Sequence, residues 1–299
     1  PSTFLLILQS NLPRGRKVSN QIKSRNMSYD LIVVGTGPAG YVAAIRASQL
    51  GLKTAVIEKE HLGGICLNWG CIPTKALLKS AQVYEYMKHS ADYGIKSTGV
   101  EHDFEAVVKR SRGVADQMSK GVQFLLKKNK VDVVMGYGKI AGKGKIEVTA
   151  ADGKKQMVEG KYIIIATGAR TRQLPNLTQD GKKIIGYREA MVLPQQPKSM
   201  IVVGSGAIGV EFADFYNTMG TKVTVVEFMD RIVPVEDADI SKELEKQLKK
   251  KGITVLTSSE VTKVDTSGAG VKATVKSAAG ESVLEAEILL SAVGIALLV

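Results

Sequence analysis

The stretch Tyr29-Asp30-Leu31-Ile32-Val33-Val34-Gly35-Thr36-Gly37-Pro38-Ala39-Gly40-Tyr41-Val42-Ala43-Ala44-Ile45-Arg46-Ala47 decides the fold. Its first six residues are a short apolar run that predicts a buried parallel strand, and the segment from Tyr41 to Ala47 has helical character. Between them stand three glycines with the spacing GxGxxG. Gly35 allows a tight turn, Gly37 lets the backbone approach a pyrophosphate, and Gly40 lets helix pack on strand. The helix N-terminus offers N–H groups and the positive end of its dipole to phosphate oxygens. A second apolar run, residues 53–57, ends at Glu58, a carboxylate suited to accept hydrogen bonds from a ribose. Strand, glycine turn, helix, strand and acid together distinguish a dinucleotide fingerprint from a chance glycine pattern.

The same device occurs again. Met200-Ile201-Val202-Val203 enters Gly204-Ser205-Gly206-Ala207-Ile208-Gly209, a helical run follows from Val210 to Phe215, and the strand Lys222-Val223-Thr224-Val225-Val226 ends at Glu227. The first glycine and the acid are 23 residues apart in both copies, 35 to 58 and 204 to 227. This internal repeat of a whole nucleotide-binding unit predicts two dinucleotide sites. Glu227 favours NAD in the second, because a carboxylate suits a free 2′-hydroxyl and repels a 2′-phosphate. Arg231 lies near enough in sequence to leave NADP open.

Working outward from the first turn, Gly63-Gly64-Ile65-Cys66-Leu67-Asn68-Trp69-Gly70-Cys71-Ile72-Pro73-Thr74-Lys75 holds both cysteines of the chain. A chain so poor in cysteine is not stapled by disulfides. Zinc needs four ligands, and the three histidines stand in no ligand-like pattern, so no metal site is expected. Two thiols spaced to close on each other read instead as a redox dithiol.

Composition sets the remaining bounds. The chain has 299 residues and 44% hydrophobic content, enough for two cores, and no apolar run long enough to span a bilayer. The formal charge of +12 invites a nucleic-acid reading, but residues 1–26 supply five positives (Arg14, Arg16, Lys17, Lys23, Arg25) and no acid, leaving +7 for the rest. Much of that remainder lies on segments such as 241–252, where Leu244 and Leu248 sit one turn apart among charges and Gly252 is a candidate C-cap. That is a solvated helix face, and neither nucleic acid nor membrane is expected as a partner.

Two nucleotide sites with a dithiol between them describe an electron relay, and here the chain resembles a known family. The motifs are GTGPAG at 35–40, GGICLNWGCIPTKALL at 63–78, ATGAR at 166–170, GSGAIGVEFADF at 204–215 and SAVG at 291–294. They resemble those of the flavin-dependent pyridine nucleotide–disulfide oxidoreductases, over Met27 to about Gly294. The Ile-Pro-Thr-Lys continuation and Glu227 place the likeness in the lipoamide dehydrogenase branch. Glutathione and mercuric reductases are the neighbouring alternatives.

The resemblance implies an α/β fold of two tandem Rossmann-like domains, with FAD on the first fingerprint and NAD on the second. It implies FAD contacts at Gly35, Gly37, Pro38, Ala39, Gly40, Glu58, Lys75, Thr167 and Gly168, and NAD contacts at Gly204, Gly206, Gly209, Glu227 and Gly294. Electrons would pass from dihydrolipoamide to a Cys66–Cys71 disulfide, then to FAD, then to NAD⁺. Cys66 would exchange with substrate and Cys71 would face the flavin, while Lys75 would pair with Glu211 beside it. The implied partners are the lipoyl domains of 2-oxo acid dehydrogenase complexes and a second copy of the chain. The implied location is the bacterial cytoplasm or the mitochondrial matrix.

Residues 1–26 read as a leader outside the fold, 27–170 as the FAD domain with the dithiol and a small β-meander, and 171–299 as the NAD domain. Within these, residues 91–130 read as helical, 131–166 as a small antiparallel meander, and the runs at 253–256, 271–275 and 283–290 as further strands. The departure from the family pattern after Gly294 predicts a chain cut short of a C-terminal dimerisation domain and of its catalytic histidine. A nucleotide-binding fragment without turnover is therefore the competing expectation. His61, His89 and His102 are expected to be solvated and not to stand in for that histidine.

Overall fold

A computed structural model describes residues 6–7 and 29–298, so most of the leader at 1–26 lies outside the described residues. The chain divides into two compact units, one holding residues 29–68, 116–168 and 297–298 with the pair at 6–7, the other holding 69–115 and 169–296.

The first unit is built on a seven-stranded sheet. Its strands are β1 (Leu6–Ile7), β2 (Tyr29–Val34), β3 (Thr54–Glu58), β4 (Asp132–Met135), β5 (Tyr137–Gly142), β6 (Lys145–Thr149) and β7 (Lys155–Ile165). The order is β4-β3-β2-β7-β6-β5, with β1 paired to β7. β2 is parallel to β3 and β7, and β3 is parallel to β4. The crossover α1 (Pro38–Gln49) joins β2 to β3, as parallel neighbours require. Ile32, Val34 and Ile57 bury their side chains with Ile146, Val148 and Val158 to form the core.

Only β5, β6 and β7 make the expected antiparallel meander. β4 instead joins the parallel edge, with Glu58 opposite Met135. β7 runs on past the meander: Lys155–Glu159 pairs antiparallel with β6, and from Gly160 onward it pairs parallel with β2.

Short α2 (Gly64–Asn68) closes the first stretch of this unit, and α3 (Cys71–Lys88) opens the second. The segment read as helical at 91–130 is interrupted. After α3 comes one 3₁₀ turn at Ser90–Tyr93, and Gly94 then adopts φ +70°. Helix α4 (Phe104–Lys128) begins only after Asp103, whose Oδ1 accepts from Ala106 N at 3.0 Å. The apolar stripes at 104–108 and 122–126 lie within α4, whereas the polar stretch 94–103 has no periodic face to bury.

The second unit repeats the plan. β8 (Ala169–Thr171), β9 (Ile184–Ile185) and α5 (Tyr187–Ala190) lead to β10 (Ser199–Val203), α6 (Ala207–Thr218), β11 (Lys222–Val226), α7 (Ala238–Lys250) and β12 (Thr254–Leu256). An antiparallel meander follows, β13 (Glu260–Asp265), β14 (Val271–Ser277) and β15 (Gly280–Ala286), and then β16 (Ile288–Ser291) and β17 (Ile295–Leu297). The parallel sheet has the order β12-β11-β10-β16-β9. Ile201, Val203 and Val226, the counterparts of Ile32, Val34 and Ile57, are buried in its core.

The apolar run at 283–290 breaks at Glu287, whose Oε2 accepts from Lys198 N at 2.7 Å. Helix α7 is capped by Asp237, whose side chain accepts from Asp239 N and Ile240 N, and Gly252 follows its end at φ +88°. Its outward face is charged, with Leu248 buried beneath.

Candidate functional site

Each fingerprint folds into a turn closed by its own acid. In the first, Glu58 Oε2 accepts from Thr36 N at 2.9 Å and from Thr36 Oγ1 at 2.6 Å, while Oε1 accepts from Glu60 N at 2.9 Å. In the second, Glu227 Oε2 accepts from Ser205 N at 2.8 Å and Ser205 Oγ at 2.6 Å, and Oε1 accepts from Met229 N at 2.8 Å. Both carboxylates are 7% exposed. The same three bonds, two to the hydroxyl residue and one two residues beyond the acid, hold both turns.

The glycines fit the pattern for steric reasons. Gly35 and Gly204 adopt φ of +98° and +95°. A Cβ on Gly40 would lie 1.9 Å from Gly35 O, and one on Gly209 would lie 2.0 Å from Gly204 O. The middle glycines differ: a Cβ on Gly37 or Gly206 would meet no atom within 4 Å. Helices α1 and α6 start there with no side-chain cap and no acid in the first turn. Open space before an uncapped helix N-terminus fits a pyrophosphate. Pro38 and Ala39 are the first residues of α1. Beside Glu58 lies an open cleft of about 660 Å³, lined by Lys59, Glu60, Met135, Gly136, Tyr137 and Thr149, large enough for a nucleoside.

The dithiol run starts from the first turn. Gly63 N donates to Thr36 O at 3.0 Å, and a Cβ on Gly64 would come within 2.6 Å of Gly37 Cα. Asn68 Nδ2 donates to Leu62 O and Gly64 O and fastens the short helix that carries Cys66. Both cysteines are disulfide-bonded, and since the chain has only two they are joined to each other. Lys75, one turn into α3, pairs its ammonium with Glu211 Oε1 on α6. Thr167 donates its hydroxyl to Leu298 O, Gly168 O accepts from Leu298 N, and Gly294 adopts φ +103° with its carbonyl accepting from Arg172 N.

Arg231 spends one guanidinium nitrogen on its own loop, donating from Nη2 to Pro234 O at 3.2 Å. His61 and His89 are exposed beside Glu60 and Glu85. His102 is not solvated as expected. Its Nε2 lies 2.8 Å from Gln196 Oε1, and its ring meets Tyr84 edge-on at 4.7 Å.

Sequence reasoning also passed over Trp69, the only tryptophan, inside the dithiol run. The guanidinium carbons of Arg112 and Arg188 stand 4.4 Å and 5.2 Å from its ring centroid. The two arginines are remote in sequence, so no local pattern could have paired them with it.

Comparison with known proteins agrees with this geometry. The family model for pyridine nucleotide-disulphide oxidoreductases matches residues 29–297. A dihydrolipoyl dehydrogenase of Rhizobium etli is 50% identical over 286 residues, covering 90% of this chain and 59% of that protein. The mitochondrial dihydrolipoyl dehydrogenase of Pisum sativum is 45% identical over 269 residues, covering 89% of this chain and 54% of its own length. The crystal structure of LpdA from Mycobacterium tuberculosis superposes with a TM-score of 0.81 at 31% identity, covering 89% of this chain and 59% of that one. The chain thus spans somewhat over half the length of the relatives it matches. Duplicated acid-closed turns, a disulfide seated on the first of them, and a family match across nearly the whole described chain lead to one statement: the chain belongs to the pyridine nucleotide-disulphide oxidoreductase family.

Proposed function

We propose that this chain carries the FAD and NAD units of a dihydrolipoamide:NAD⁺ oxidoreductase, with Cys66 and Cys71 as the exchanging pair. The observation that carries the reading is the disulfide on a run fastened to the first of two acid-closed turns. Similarity to dihydrolipoyl dehydrogenases at 45–50% identity supports the substrate class. The same likeness supports, as parts of this proposal, lipoyl domains of 2-oxo acid dehydrogenase complexes and a second copy of the chain as partners, and a cytoplasmic or matrix location.

FAD would be held by Gly35, Gly37, Pro38, Ala39 and Gly40 at the pyrophosphate, by Glu58 at the ribose, and by Lys75, Thr167 and Gly168. NAD would be held by Gly204, Gly206, Gly209, Glu227 and Gly294. A bound flavin supplies a two-electron acceptor between dithiol and nicotinamide.

The cysteines perform the exchange. A thiolate of dihydrolipoamide attacks Sγ of Cys66, the Cys66–Cys71 bond breaks, and Cys71 leaves as a thiolate. The second substrate thiol then attacks the substrate sulfur of the mixed disulfide, so that oxidised lipoamide departs and Cys66 is released. The substrate loses two electrons and two protons, and the cysteine pair gains the two electrons. Lys75, fixed by Glu211, keeps a cation near the start of the dithiol helix, where negative charge appears on reduction.

The test uses the chain reconstituted with FAD. It should bind flavin and turn yellow, and anaerobic NADH should open two titratable thiols. Gly37→Val should lose the colour, because its side chain takes the pyrophosphate's place, and Gly206→Val should keep the colour but lose opening by NADH. Cys66→Ser should still allow NADH to reduce the flavin. A colourless wild type, or thiols that stay closed in a yellow one, overturns the reading.

A further inference from the structure

The two cysteines stand on helices that are held by different means. Short α2, which carries Cys66, keeps its shape through Asn68, whose side-chain amide donates to Leu62 O at 3.0 Å and Gly64 O at 2.9 Å. Neither bond involves sulfur, so this anchor survives when the disulfide opens. Helix α3 begins at Cys71 itself, after Gly70, which has no side chain to cap it, and its first turn holds no acid. Further along, α3 is tied at Lys75 by Glu211 and at Ala76 and Ser80 by Arg110, whose Nη1 donates to Ala76 O at 2.8 Å and to Ser80 Oγ at 3.1 Å. The end that carries Cys71 lies before all of these ties.

What precedes that end is the ring of Trp69. The guanidinium carbons of Arg112, at 4.4 Å from the ring centroid, and Arg188, at 5.2 Å, are both within reach of a cation–π contact. Arg112 rides on α4, two residues past Arg110, and Arg188 rides on α5. Both elements are fixed to α6. Phe104, at the start of α4, sets its ring 6.1 Å from those of Phe215 and Tyr216, and the buried Tyr216 hydroxyl donates to Ala190 O at the end of α5. The two cations therefore come from a frame that does not depend on the disulfide.

We infer that Trp69, gripped by Arg112 and Arg188, is a positioning residue that holds the start of α3, and with it Cys71, in place while the Cys66–Cys71 bond is open. The inference rests on the reading of the cysteines as an exchanging pair and adds what keeps the two thiols ready to rejoin. Without the grip, an uncapped first turn frays once its sulfur is released, and closing the bond must then order those residues again at an entropic cost. The grip thus favours the closed pair over the open one. Stabilisation of thiolates by the two positive charges would act in the opposite direction, so the sign of the change separates the two roles.

The experiment equilibrates the FAD-reconstituted chain, without oxygen, in glutathione buffers of graded thiol-to-disulfide ratio, then traps free thiols by alkylation and counts them by mass. Two glutathione thiols become one glutathione disulfide, and their two electrons and two protons open the Cys66–Cys71 bond. A guanidinium over an indole shifts an equilibrium about two- to fivefold. Trp69→Ala, which loses both contacts, should therefore move the equilibrium toward the open pair by about five- to twentyfold. Trp69→Phe keeps an aromatic face and should stay within about threefold of the wild type. Arg112→Leu and Arg188→Leu should each move it about two- to fivefold in the same direction, and they decide the matter if Trp69→Ala does not fold. An unchanged equilibrium in the folded variants, a shift toward the closed pair, or a Trp69→Phe as severe as the alanine overturns the anchor while leaving the exchange reading intact. A wild-type pair that stays closed at every ratio overturns the exchange reading and the anchor with it.

Discussion

The two glycine turns share their three carboxylate bonds, yet the residue that closes each one differs. In the first copy Gly63 donates its N–H to Thr36 O at φ +94°, and in the second Val233 donates its N–H to Ser205 O at φ +38°. The backbone task is the same. At Gly63 it is done without a side chain, and the chain continues through Gly64, pressed against Gly37, into the dithiol run. At Val233 a β-branched residue is held in a conformation it disfavours, tied down by Ser241 Oγ to its carbonyl at 3.3 Å and by Arg231 to the next carbonyl. The comparison teaches that the acid-closed turn is the invariant part of the unit, and that the segment after it is where the copies differ: one carries a disulfide, the other a capped helix.

Four sets of substitutions bear on that comparison. The largest effect should come from the shared part. Gly40→Ala and Gly209→Ala each force a Cβ against a carbonyl oxygen and should cost about 3 kcal/mol or more in urea unfolding, to a similar degree in both copies. A tolerated Gly209→Ala beside a ruinous Gly40→Ala would break the equivalence.

The closing residues should behave asymmetrically. Gly63→Val meets Leu67 side-chain atoms at 2.7 Å as well as an unfavourable φ and should cost about 3 kcal/mol. Val233→Gly should lie within about 1 kcal/mol of neutral, because relief of about 1–3 kcal/mol of strain offsets a lost buried side chain worth about 1.5–3 kcal/mol. A loss above about 2 kcal/mol in Val233→Gly would mean that packing, not backbone closure, is the role of that residue.

Smaller and again symmetric, Glu58→Gln and Glu227→Gln should each lose about 2 kcal/mol, since three donors then face an amide in place of a carboxylate. The first should lower flavin affinity and the second NADH affinity, and a crossed pattern in equilibrium dialysis would show that the nucleotides are assigned to the wrong copies. Last, Thr36→Val and Ser205→Ala each remove one hydroxyl bond while keeping the N–H bond, and about 1 kcal/mol should be lost by thermal unfolding in each.

The shared part was legible in the sequence because its determinants are local: a missing Cβ at Gly35 or Gly204, and an acid at the end of the next strand. The cysteine spacing read as a dithiol and Glu227 favoured NAD, and the family likeness then added FAD and the roles of the single residues. What stayed hidden depends on partners far along the chain. Thr36 and Ser205 are ordinary hydroxyl residues until the acid is folded onto them. The positive φ of Val233 is opposite to what its side chain prefers, so no propensity could have announced it. The break at 94–103 was missed because two apolar stripes with helical spacing suggested one long helix, while His102 looked solvated in a polar stretch but is held by Gln196, 94 residues on. Trp69 meets its arginines in the same long-range manner.

Strand β7 carries a consequence for how the molecule is made. Its first half pairs with β6 across a short turn, a contact available as soon as the hairpin leaves the ribosome. Its second half pairs with β2, and Gly35 nests against the carbonyl of Ala166, so the first nucleotide turn cannot close until residue 166 has been synthesised. Gly204 waits in the same way for Ala292. Each fingerprint is thus written early and completed late, with its meander already formed in between. The nascent chain should capture its nucleotides in two steps, and a pause in translation before residue 166 would leave the cysteine run attached to an unfinished turn, where its thiols are open to the wrong partners.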